Sequence, residues 1–523
     1  MRNTLLVRTT SRTFKAVLVA SLAGALLVSV VPSASAATTT VGGVCTKVGA
    51  KAKVSTKAKV GTKAKVVKIS VECKAVSGKK IWTDIRVYNV SISANAILGG
   101  KNNQTASWIQ NYVIPQFELS NADKGKQVNV SFTPSGIDDN QFKTQLALDL
   151  ASKRGPDVMA LDGFWVAEFA EAGYIKPLES IVGAKVVNAW DGWSQIPSSV
   201  QSVMSFGGKK YGVPQGTDGR IIYFNKKLFA DAGLPANWQP KSWDELLAAA
   251  KTIKTKTPSV TPLQLNAGDG MGEATAMQGF LNLLGGAGSL IYDSKTKKWT
   301  GNSKAVRDML GFYDTVYNKE KVGNSDWQLL AGENGRNESF KAFSEGKLAM
   351  IIEGDYLWRG VINPVSGNFK MADRNTNVGF AKIPAQTPKS GVNGQSFMSM
   401  SGGSGYALNP NSANKKLAWD LLKFINSKEP VSSFMAIGGA VRISQRQDVN
   451  SAVLKSDPCL KFVFENALPN TFFRPANVNY NAVSVLLQKA TTSIVQGKSV
   501  AETAAAYESA LKDLVGAANV ASN

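Results

Sequence analysis

The residue types that carry most enzyme chemistry are scarce in this sequence. Its 523 residues include no histidine and three cysteines. Without an imidazole, neither a Ser-His-Asp triad nor a Cys-His pair can form, and the commonest metal ligand is missing. A phosphate-binding loop is also excluded, because Thr492 stands where the glycine upstream of Gly497-Lys498-Ser499 is required. The sequence therefore predicts no metal and no cofactor. Two-carboxylate chemistry on glycans, with acids about 5 to 9 Å apart, stays open.

Polar and aromatic side chains follow three strand-like segments. These side chains could bind a solute without catalysing a reaction on it. The segments alternate with helical patterns, which predicts parallel βαβ units. They are RVYNVSI (86–92), QVNVSF (127–132) and DVMAL (157–161). In open α/β sheets, ligands bind beyond the carboxyl ends of the strands. We therefore expect Asn95, residues 133–135 and residues 162–165 to face a site.

The N-terminal 36 residues have the pattern of a secretory signal. Four basic residues and no acid are followed by an apolar run of sixteen residues, AVLVASLAGALLVSVV, and by Ala34-Ser35-Ala36. Small residues at this spacing are typical of a cleavage site. We expect an exported protein, soluble after signal cleavage, that is extracellular or held at the cell surface or in the periplasm. The alternative is an uncleaved anchor helix.

A lysine-rich segment follows the signal, with K-A-K-V repeated every six residues over 51–66. The period of two predicts strands with one lysine face and one Ala/Val/Thr face. Cys45 and Cys73 bracket the repeat and predict a disulfide that staples a small β-rich module, whereas Cys459 is expected to be a buried thiol. The segment resembles short Cys- and Lys-rich modules of exported actinobacterial proteins. We expect it to contact anionic cell-wall polymer or lipid headgroups rather than nucleic acid; a solvated spacer is the alternative.

Five segments, in order, resemble a known family. They are GPDVMALDGFWVAEFAEAGYIKPLES, KKYGVPQGTDGRIIYFNKKLFADAGL, FSEGKLAMIIEGDYLW, GFAKIPA and GGSGYALNPNSANKKLAWDLLKFINS. Over roughly residues 84–520 the chain resembles an extracellular solute-binding protein of an ABC importer, in the sugar-binding family that includes maltose-binding protein. The resemblance implies a binding protein rather than an enzyme, with permease subunits as partners.

The resemblance also implies an architecture. The expected class is α/β, a two-lobed periplasmic-binding-protein-like fold (type II), each lobe a mainly parallel sheet flanked by helices, plus the small N-terminal β-rich module. The domains expected are a signal peptide at 1–36, the basic module at 37–83 and the solute-binding domain at 84–523. Within the last, lobe 1 covers about 84–215 and 403–445, and lobe 2 about 218–400 and part of 446–523.

A sugar site needs aromatic rings for the ring faces and carboxylates or amides for the hydroxyls. Matching the family's motifs and the strand ends gives the following ligand-binding candidates: Asn95, Asp162, Trp165, Asp218, Asp355, Tyr356, Trp358, Tyr406, Arg442, Arg474 and Tyr480. Some have plain structural alternatives: a helix cap for Asp162, a turn for Asp218, core packing for Trp165 and Tyr480, and a salt bridge for Arg474.

These candidates leave the solute open. The aromatic residues favour a neutral carbohydrate, while Arg442 and Arg474 keep a polyol phosphate or another acidic solute as an alternative. Two further hypotheses are a surface adhesin, in which the lysine module is the main actor, and an exported glycan-acting enzyme.

Overall fold

The computed structural model describes residues 39–60, 63–332, 334–437 and 441–522. The predicted secretory signal lies outside these residues. In chain order, the strands are β1 (Lys51–Val60), β2 (Lys63–Val76), β3 (Lys79–Asp84), β4 (Val87–Ala94), β5 (Gln127–Pro134), β6 (Val158–Asp162), β7 (Ser205–Phe206), β8 (Lys209–Lys210), β9 (Gly212–Pro214), β10 (Arg220–Asn225), β11 (Thr261–Gln264), β12 (Tyr292–Asp293), β13 (Lys298–Thr300), β14 (Leu348–Gly354), β15 (Val378–Ala381), β16 (Ile383–Pro384), β17 (Phe397–Ser401), β18 (Ser404–Leu408), β19 (Thr471–Phe473) and β20 (Val520–Ala521).

The α-helices lie between and around these strands. They are α1 (Asn103–Trp108), α2 (Ile114–Ala122), α3 (Asp139–Ala151), α4 (Val166–Glu171), α5 (Leu178–Val182), α6 (Ala184–Asn188), α7 (Ser198–Gln201), α8 (Lys226–Asp231), α9 (Trp243–Lys256), α10 (Leu281–Gly286), α11 (Lys304–Asp314), α12 (Ser325–Gln328), α13 (Asn334–Ser344), α14 (Arg374–Asn377), α15 (Lys415–Ile425), α16 (Lys428–Met435), α17 (Gln447–Ser456), α18 (Pro458–Phe462), α19 (Tyr480–Val495) and α20 (Val500–Val515). Within the described ranges, no helix is long and apolar enough to cross a membrane.

Helix α3 shows how local sequence sets these elements. The Asp138 side chain accepts hydrogen bonds from the backbone of Asn140 and Gln141 and so caps the first turn. The predicted apolar residues of this helix, Phe142, Leu146 and Leu150, are all buried. Their spacing of four places them on one face of the helix, which packs against the sheet of lobe 1.

The first lobe is built on a five-stranded sheet in the order β5-β4-β6-β18-β9. Strand β4 pairs in parallel with both β5 and β6, as the βαβ pattern predicts. Strand β18 returns from much later in the chain and pairs antiparallel with β6 and β9. The carboxyl ends of β4 and β6 lie at the same edge of the sheet, which is the edge that faces the second lobe.

The sheet of the second lobe is mixed, whereas a mainly parallel sheet was expected. This four-stranded sheet has the order β11-β14-β10-β15, and only β11 and β14 pair in parallel. Strand β10 is antiparallel to both of its neighbours. The reason is that β10 enters this lobe directly from β9 of the first lobe, so it runs against the strands that the second lobe builds internally. The two-lobed α/β fold is as expected, with mixed sheets.

The N-terminal module is a three-stranded antiparallel sheet, β1-β2-β3, with Cys45 and Cys73 joined in a disulfide. Val54 lies opposite Ile69, and Lys53 lies opposite Ser70. Odd positions of β1 therefore share a face with even positions of β2. This register does not carry one set of odd-numbered residues on a common face from β1 into β2, so a single odd-numbered face through both strands does not follow from it.

Candidate functional site

Three segments pass between the lobes and meet at their junction. Residues 214–220 lead from β9 to β10, residues 401–404 lead from β17 to β18, and residues 441–444 run alongside. The N–H of Thr217 donates to Ile443 O at 3.2 Å. A Cβ at Gly216 would stand 2.4 Å from Ile443 O, so this close approach requires glycine. The junction holds the polar side chains described below between the two lobes.

Arg474 connects the two lobes. Its Nη2 lies 3.0 Å from Asp162 Oδ1, at the end of β6 in the first lobe, and its Nη1 lies 3.3 Å from Glu273 Oε1 in the second. The guanidinium carbon also lies 4.2 Å from the ring centroid of Phe164. The Arg474 side chain is only 9% exposed, so these contacts position it firmly.

Glu273 is itself held by helix α19. Tyr480 OH donates to Glu273 Oε1 at 2.7 Å, and Ser484 Oγ donates to Glu273 Oε2 at 2.5 Å. The rings of Phe164 and Tyr480 meet edge to face, with centroids 6.4 Å apart. Contacts between the lobes therefore run from the Asp162 turn to the first turn of α19.

A second chain of polar contacts begins at Asp218. Its Oδ1 accepts from Gly402 N at 2.7 Å and pairs with Arg220 Nη1. Arg220 Nε donates to Gln278 Oε1 at 3.0 Å, and Gln278 Nε2 donates to Tyr356 OH at 2.7 Å. This chain links the segment between the lobes to the end of β14.

Glu353 is an acid buried inside an otherwise apolar strand. Its side chain is 0% exposed, and Arg336 contacts both carboxylate oxygens, at 3.0 and 3.1 Å. Asn266 Nδ2 donates to Oε1 at 3.0 Å, and Tyr356 OH donates to Oε2. The carboxylate is thus fully partnered, as a buried charge must be.

Asp355, which is buried, and Arg442, which is half-buried, both have incomplete partners. Asp355 Oδ1 lies 3.0 Å from Arg359 Nε, while its Oδ2 has no hydrogen-bond partner among the described residues. Arg442 lies over the Phe434 ring at 4.4 Å, and its Nε is likewise buried without a partner in the described part of the chain. Unpartnered buried polar atoms are candidates to meet a bound solute.

The pKa shifts follow from burial and from these pairs. Burial acts to raise the pKa of Asp218, but Arg220, the Gly402 N–H and Arg359 together outweigh it and the pKa is lowered. Burial also opposes ionisation of Glu353, but Arg336 and the hydrogen bonds from Tyr356 and Asn266 together outweigh it, so that the pKa of Glu353 is lowered too. At Asp355 burial prevails over Arg359 and raises the pKa to about 6.

The pKa of Arg442 is shifted in the opposite direction from that of Asp355. Burial and the nearby Arg359 lower its pKa to about 10. We define the interlobe cluster as five arginines and five carboxylates: Arg220, Arg336, Arg359, Arg442, Arg474, Asp162, Asp218, Glu273, Glu353 and Asp355. Its formal charge is zero, and four of the arginines contact a carboxylate within it.

The tryptophans predicted to face a solute lie in the core instead. Trp165 is 4% exposed and its ring stacks on Phe169 with centroids 6.4 Å apart. Trp358 is 1% exposed, and its Nε1 donates to Asp457 at 3.1 Å while Arg374 covers its ring. Both rings pack in the core, although Trp165 Nε1 has no hydrogen-bond partner among the described residues, and a solute-binding role for either tryptophan stays a prediction.

Two predicted tyrosines are also buried. Tyr406 lies on β18 within the core of the first lobe, and Tyr480 is bound to Glu273. Both are fully covered. Tyr480 supports the cluster through Glu273 and Tyr406 packs in the core, and a solute-binding role for either tyrosine stays a prediction. Tyr356 differs, because it is half-buried and its hydroxyl lies between Gln278 and Glu353.

Asn95 follows β4, as predicted, but it contacts its own lobe. Its Nδ2 donates to Asp139 Oδ1 at 2.7 Å and to Ile137 O at 3.0 Å. Neither partner belongs to the interlobe cluster. The structure therefore brings together Asp162, Asp218, Asp355, Tyr356, Arg442 and Arg474, and leaves Asn95, Trp165, Trp358 and Tyr406 outside.

Sequence reasoning missed several members of the cluster. Glu353 had a signal, since an acid inside the apolar run LAMIIEG must find a partner when buried. Arg220 stands two residues after Asp218, in the segment already singled out. Glu273 and Arg336 had no local signal, because they come from segments distant in sequence from their partners, and the same holds for Gln278, which contacts the cluster member Arg220.

Comparison with known proteins defines the class. The model of the bacterial extracellular solute-binding protein family matches residues 100–431, and this chain belongs to that family. The prediction of a binding protein rather than an enzyme is thereby confirmed. Such proteins bind solutes outside the cell membrane, in agreement with the expected extracellular location.

Individual relatives are distant. A binding protein of Brucella abortus is 24% identical over 361 residues, covering 68% of this chain and 78% of the relative. A mannitol-binding protein of Pseudomonas aeruginosa is 23% identical over 296 residues, covering 56% and 63%. Among solved structures, a receptor of Streptomyces glaucescens, crystallised unliganded and with acarbose, matches with a TM-score of 0.66 at 23% identity, covering 83% of this chain and 99% of that one.

Proposed function

We propose that this chain captures a neutral, polyhydroxylated solute, a sugar or a sugar alcohol, between its two lobes and delivers it to the permease subunits of an ABC importer. The observation that carries the proposal is the charge balance of the interlobe cluster. Ionised groups that are already paired offer strong, directional hydrogen bonds without a net charge to be neutralised. Hydroxyl groups, which both donate and accept, suit such a surface.

The atoms left without partners suit the same chemistry. Asp355 Oδ2 and Asn266 Oδ1 can accept hydrogen bonds, and Arg442 Nε can donate one. A vicinal diol can satisfy one acceptor and one donor at once. The half-buried ring of Phe164 lies beside Asp162 and offers an apolar surface for carbon-bound hydrogens.

The relatives support the proposal by what their names record. The Pseudomonas aeruginosa relative binds mannitol, and the Streptomyces glaucescens receptor was solved with acarbose. Both ligands carry many hydroxyl groups. This agreement concerns the class of solute, and the particular solute of this chain is for experiment to identify.

The test is a titration of the mature protein with mannitol, hexoses, maltotriose and the matching sugar phosphates, followed by calorimetry and thermal unfolding. Ligand that binds only the folded state raises the Tm by mass action. We expect a neutral ligand to raise the Tm, and Asp218→Asn to weaken its affinity at least tenfold. Asp231→Asn, on the exposed face of α8, is the matched control. A protein that binds none of these solutes would contradict the proposal.

A polyol phosphate is the second candidate, and Arg442 is the observation that favours it. Within the described residues, Arg442 is the one arginine of the interlobe cluster without a carboxylate contact. A phosphate placed beside Arg442 and Arg359 would give Arg442 the anionic partner that it lacks among the described residues. In that case only the phosphorylated ligands raise the Tm, and Arg442→Gln abolishes the rise while leaving the unliganded Tm near that of the parent.

We also propose that the chain is exported by cleavage after Ala36 and retained outside the cell through the lysine-rich module. The charge of the first 80 residues supports this step, since residues 37–80 hold eleven lysines and one glutamate. Mass spectrometry of the secreted protein tests the cleavage site. Removal of residues 37–80 tests retention, because the shortened protein should be released into the medium.

A further inference from the structure

A groove of about 340 Å³ opens on the outer side of the first lobe, between α2 and α15. Its lining combines three aromatic residues, three lysines, one acid and three uncharged polar residues: Phe117, Trp190, Phe424, Lys124, Lys126, Lys423, Asp420, Ser120, Asn121 and Ser427. None of these residues belongs to the interlobe cluster. The groove is therefore separate from the site proposed for the transported solute.

One short loop joins this groove to the lysine-rich module. Lys124 and Lys126 line the groove, whereas Gly125 and Gln127, which alternate with them, contact the module. Asp84 N donates to Gly125 O at 2.7 Å, and Gln127 Nε2 donates to Asp84 O at 2.9 Å. The loop of residues 124–127 thus lies between the two, with alternate residues lining the groove and contacting the module.

The contact at this loop is close. A Cβ at Gly125 would stand 2.3 Å from Trp82 O, and this glycine has φ of +73°, so a larger residue would push the module away. Lys74 Nζ of the module donates to Gln127 Oε1 at 2.8 Å. The module is therefore held, through Lys74 and Asp84, against the loop that lines the groove.

Charge and shape together indicate the occupant. Asp420 pairs with Lys423 at 2.9 Å, which leaves Lys124 and Lys126 as groove cations with no ion pair among the described residues. The ring of Trp190 is supported edge to face by Trp193 at 5.0 Å. Lysines attract an anion, and aromatic rings accept the carbon faces of sugar or polyol units.

We propose that the groove and the lysine-rich module together bind one linear anionic polymer of sugar or polyol units. The groove lysines and the exposed Lys51 and Lys53 neutralise its charges, and the aromatic residues of the groove hold one of its units. This extends the retention step proposed above and does not depend on which solute the interlobe site takes. In this proposal, the groove on the first lobe and the lysine-rich module both hold the protein at the cell surface.

The experiment measures binding of the full mature protein to poly(glycerol phosphate) and to hyaluronan, with neutral dextran as the control polymer. The groove variant is Lys124→Gln with Lys126→Gln, and the module variant is Lys51→Gln with Lys53→Gln. The charge-matched control is Lys295→Gln with Lys298→Gln, on the exposed β12–β13 hairpin of the second lobe. Circular dichroism and the Tm establish that each variant is folded.

We expect the groove and module variants each to weaken polymer binding at least fivefold, and the control to change it less than twofold. Binding should fall steeply with added salt, because the contact is between exposed charges. The preferred polymer distinguishes phosphate from carboxylate as the bound anion. The proposal is overturned if the groove variant binds like the control, if dextran binds equally well, or if anionic lipid vesicles bind while both polymers do not.

Discussion

The interlobe cluster and the N-terminal module use charged residues in opposite ways. In the cluster, arginines and carboxylates are equal in number, wholly or partly buried, and held in pairs such as Arg336 with Glu353. In the module, lysines outnumber acids, and Lys51 and Lys53 are exposed. The cluster presents polarity without net charge, whereas the module presents net charge, and its Lys51 and Lys53 make no ion pair among the described residues.

The difference suits two kinds of contact. Buried pairs lose little to salt and hold their geometry, which a specific solute requires. Exposed lysines attract any polyanion from a distance but specify no geometry, and they are screened by salt. The region with the defined hydrogen bonds is therefore expected to discriminate between solutes, and the lysine-rich region to concentrate the protein on a surface.

Removal of one partner from the best-buried pair should have the largest effect. Arg336→Leu leaves the Glu353 carboxylate buried without its cation, and we expect unfolding to become easier by about 3 to 5 kcal/mol. Chemical denaturation measures this. Adding Glu353→Gln to the variant should recover part of the loss. A single variant that loses less than about 1 kcal/mol would show that the pair is not the support described here.

Loss of the disulfide should affect the module alone. With Cys45→Ser and Cys73→Ser, whose sequence separation is 28 residues, we expect the module to lose about 3 to 4 kcal/mol. Hydrogen exchange should then speed up for residues 39–84, while the amides of β10 and β14 keep their protection. Equal loss of protection in both regions would mean that the module and the lobes unfold together.

The pH dependence of stability isolates Asp355. Its pKa of about 6 in the folded protein lies above the ordinary value of 3.8. The folded state therefore holds this proton more tightly, so stability falls as pH rises from about 4 to about 6, by roughly 2 to 3 kcal/mol. Asp355→Asn removes this contribution. Thermal unfolding of parent and variant across that range should show a difference that changes with pH, and parallel curves would refute the assignment.

Exposed lysines of the module give the smallest effect. Lys53→Gln removes a charge that makes no ion pair among the described residues, and we expect stability to change by less than about 0.5 kcal/mol. Denaturation under the conditions used for Arg336→Leu gives a direct comparison. A loss as large as that of the buried pair would mean that the module's lysines stabilise the fold, and the contrast between the regions would fail.

Part of the site was predictable from the sequence because its residues follow strands. Asp162 and Asp218 stand where chain segments leave a sheet edge, and both join the interlobe cluster. Trp165, three residues after Asp162, was expected beside it. The short 3₁₀ turn at Gly163–Trp165 instead turns this ring toward the core of its own lobe. Local spacing indicated where the chain reaches the site, and it did not indicate which way a side chain would point.

The sequence by itself determined the chemistry that this protein lacks, the disulfide partners, the alternation of strands and helices, and the family. These depend on composition or on neighbours along the chain. Tertiary structure alone decided that Arg474 meets Asp162, 312 residues away, and that the second lobe's sheet is mixed. The physical reason is that charge pairing and strand direction depend on how distant segments meet at the junction, and no local pattern records that meeting.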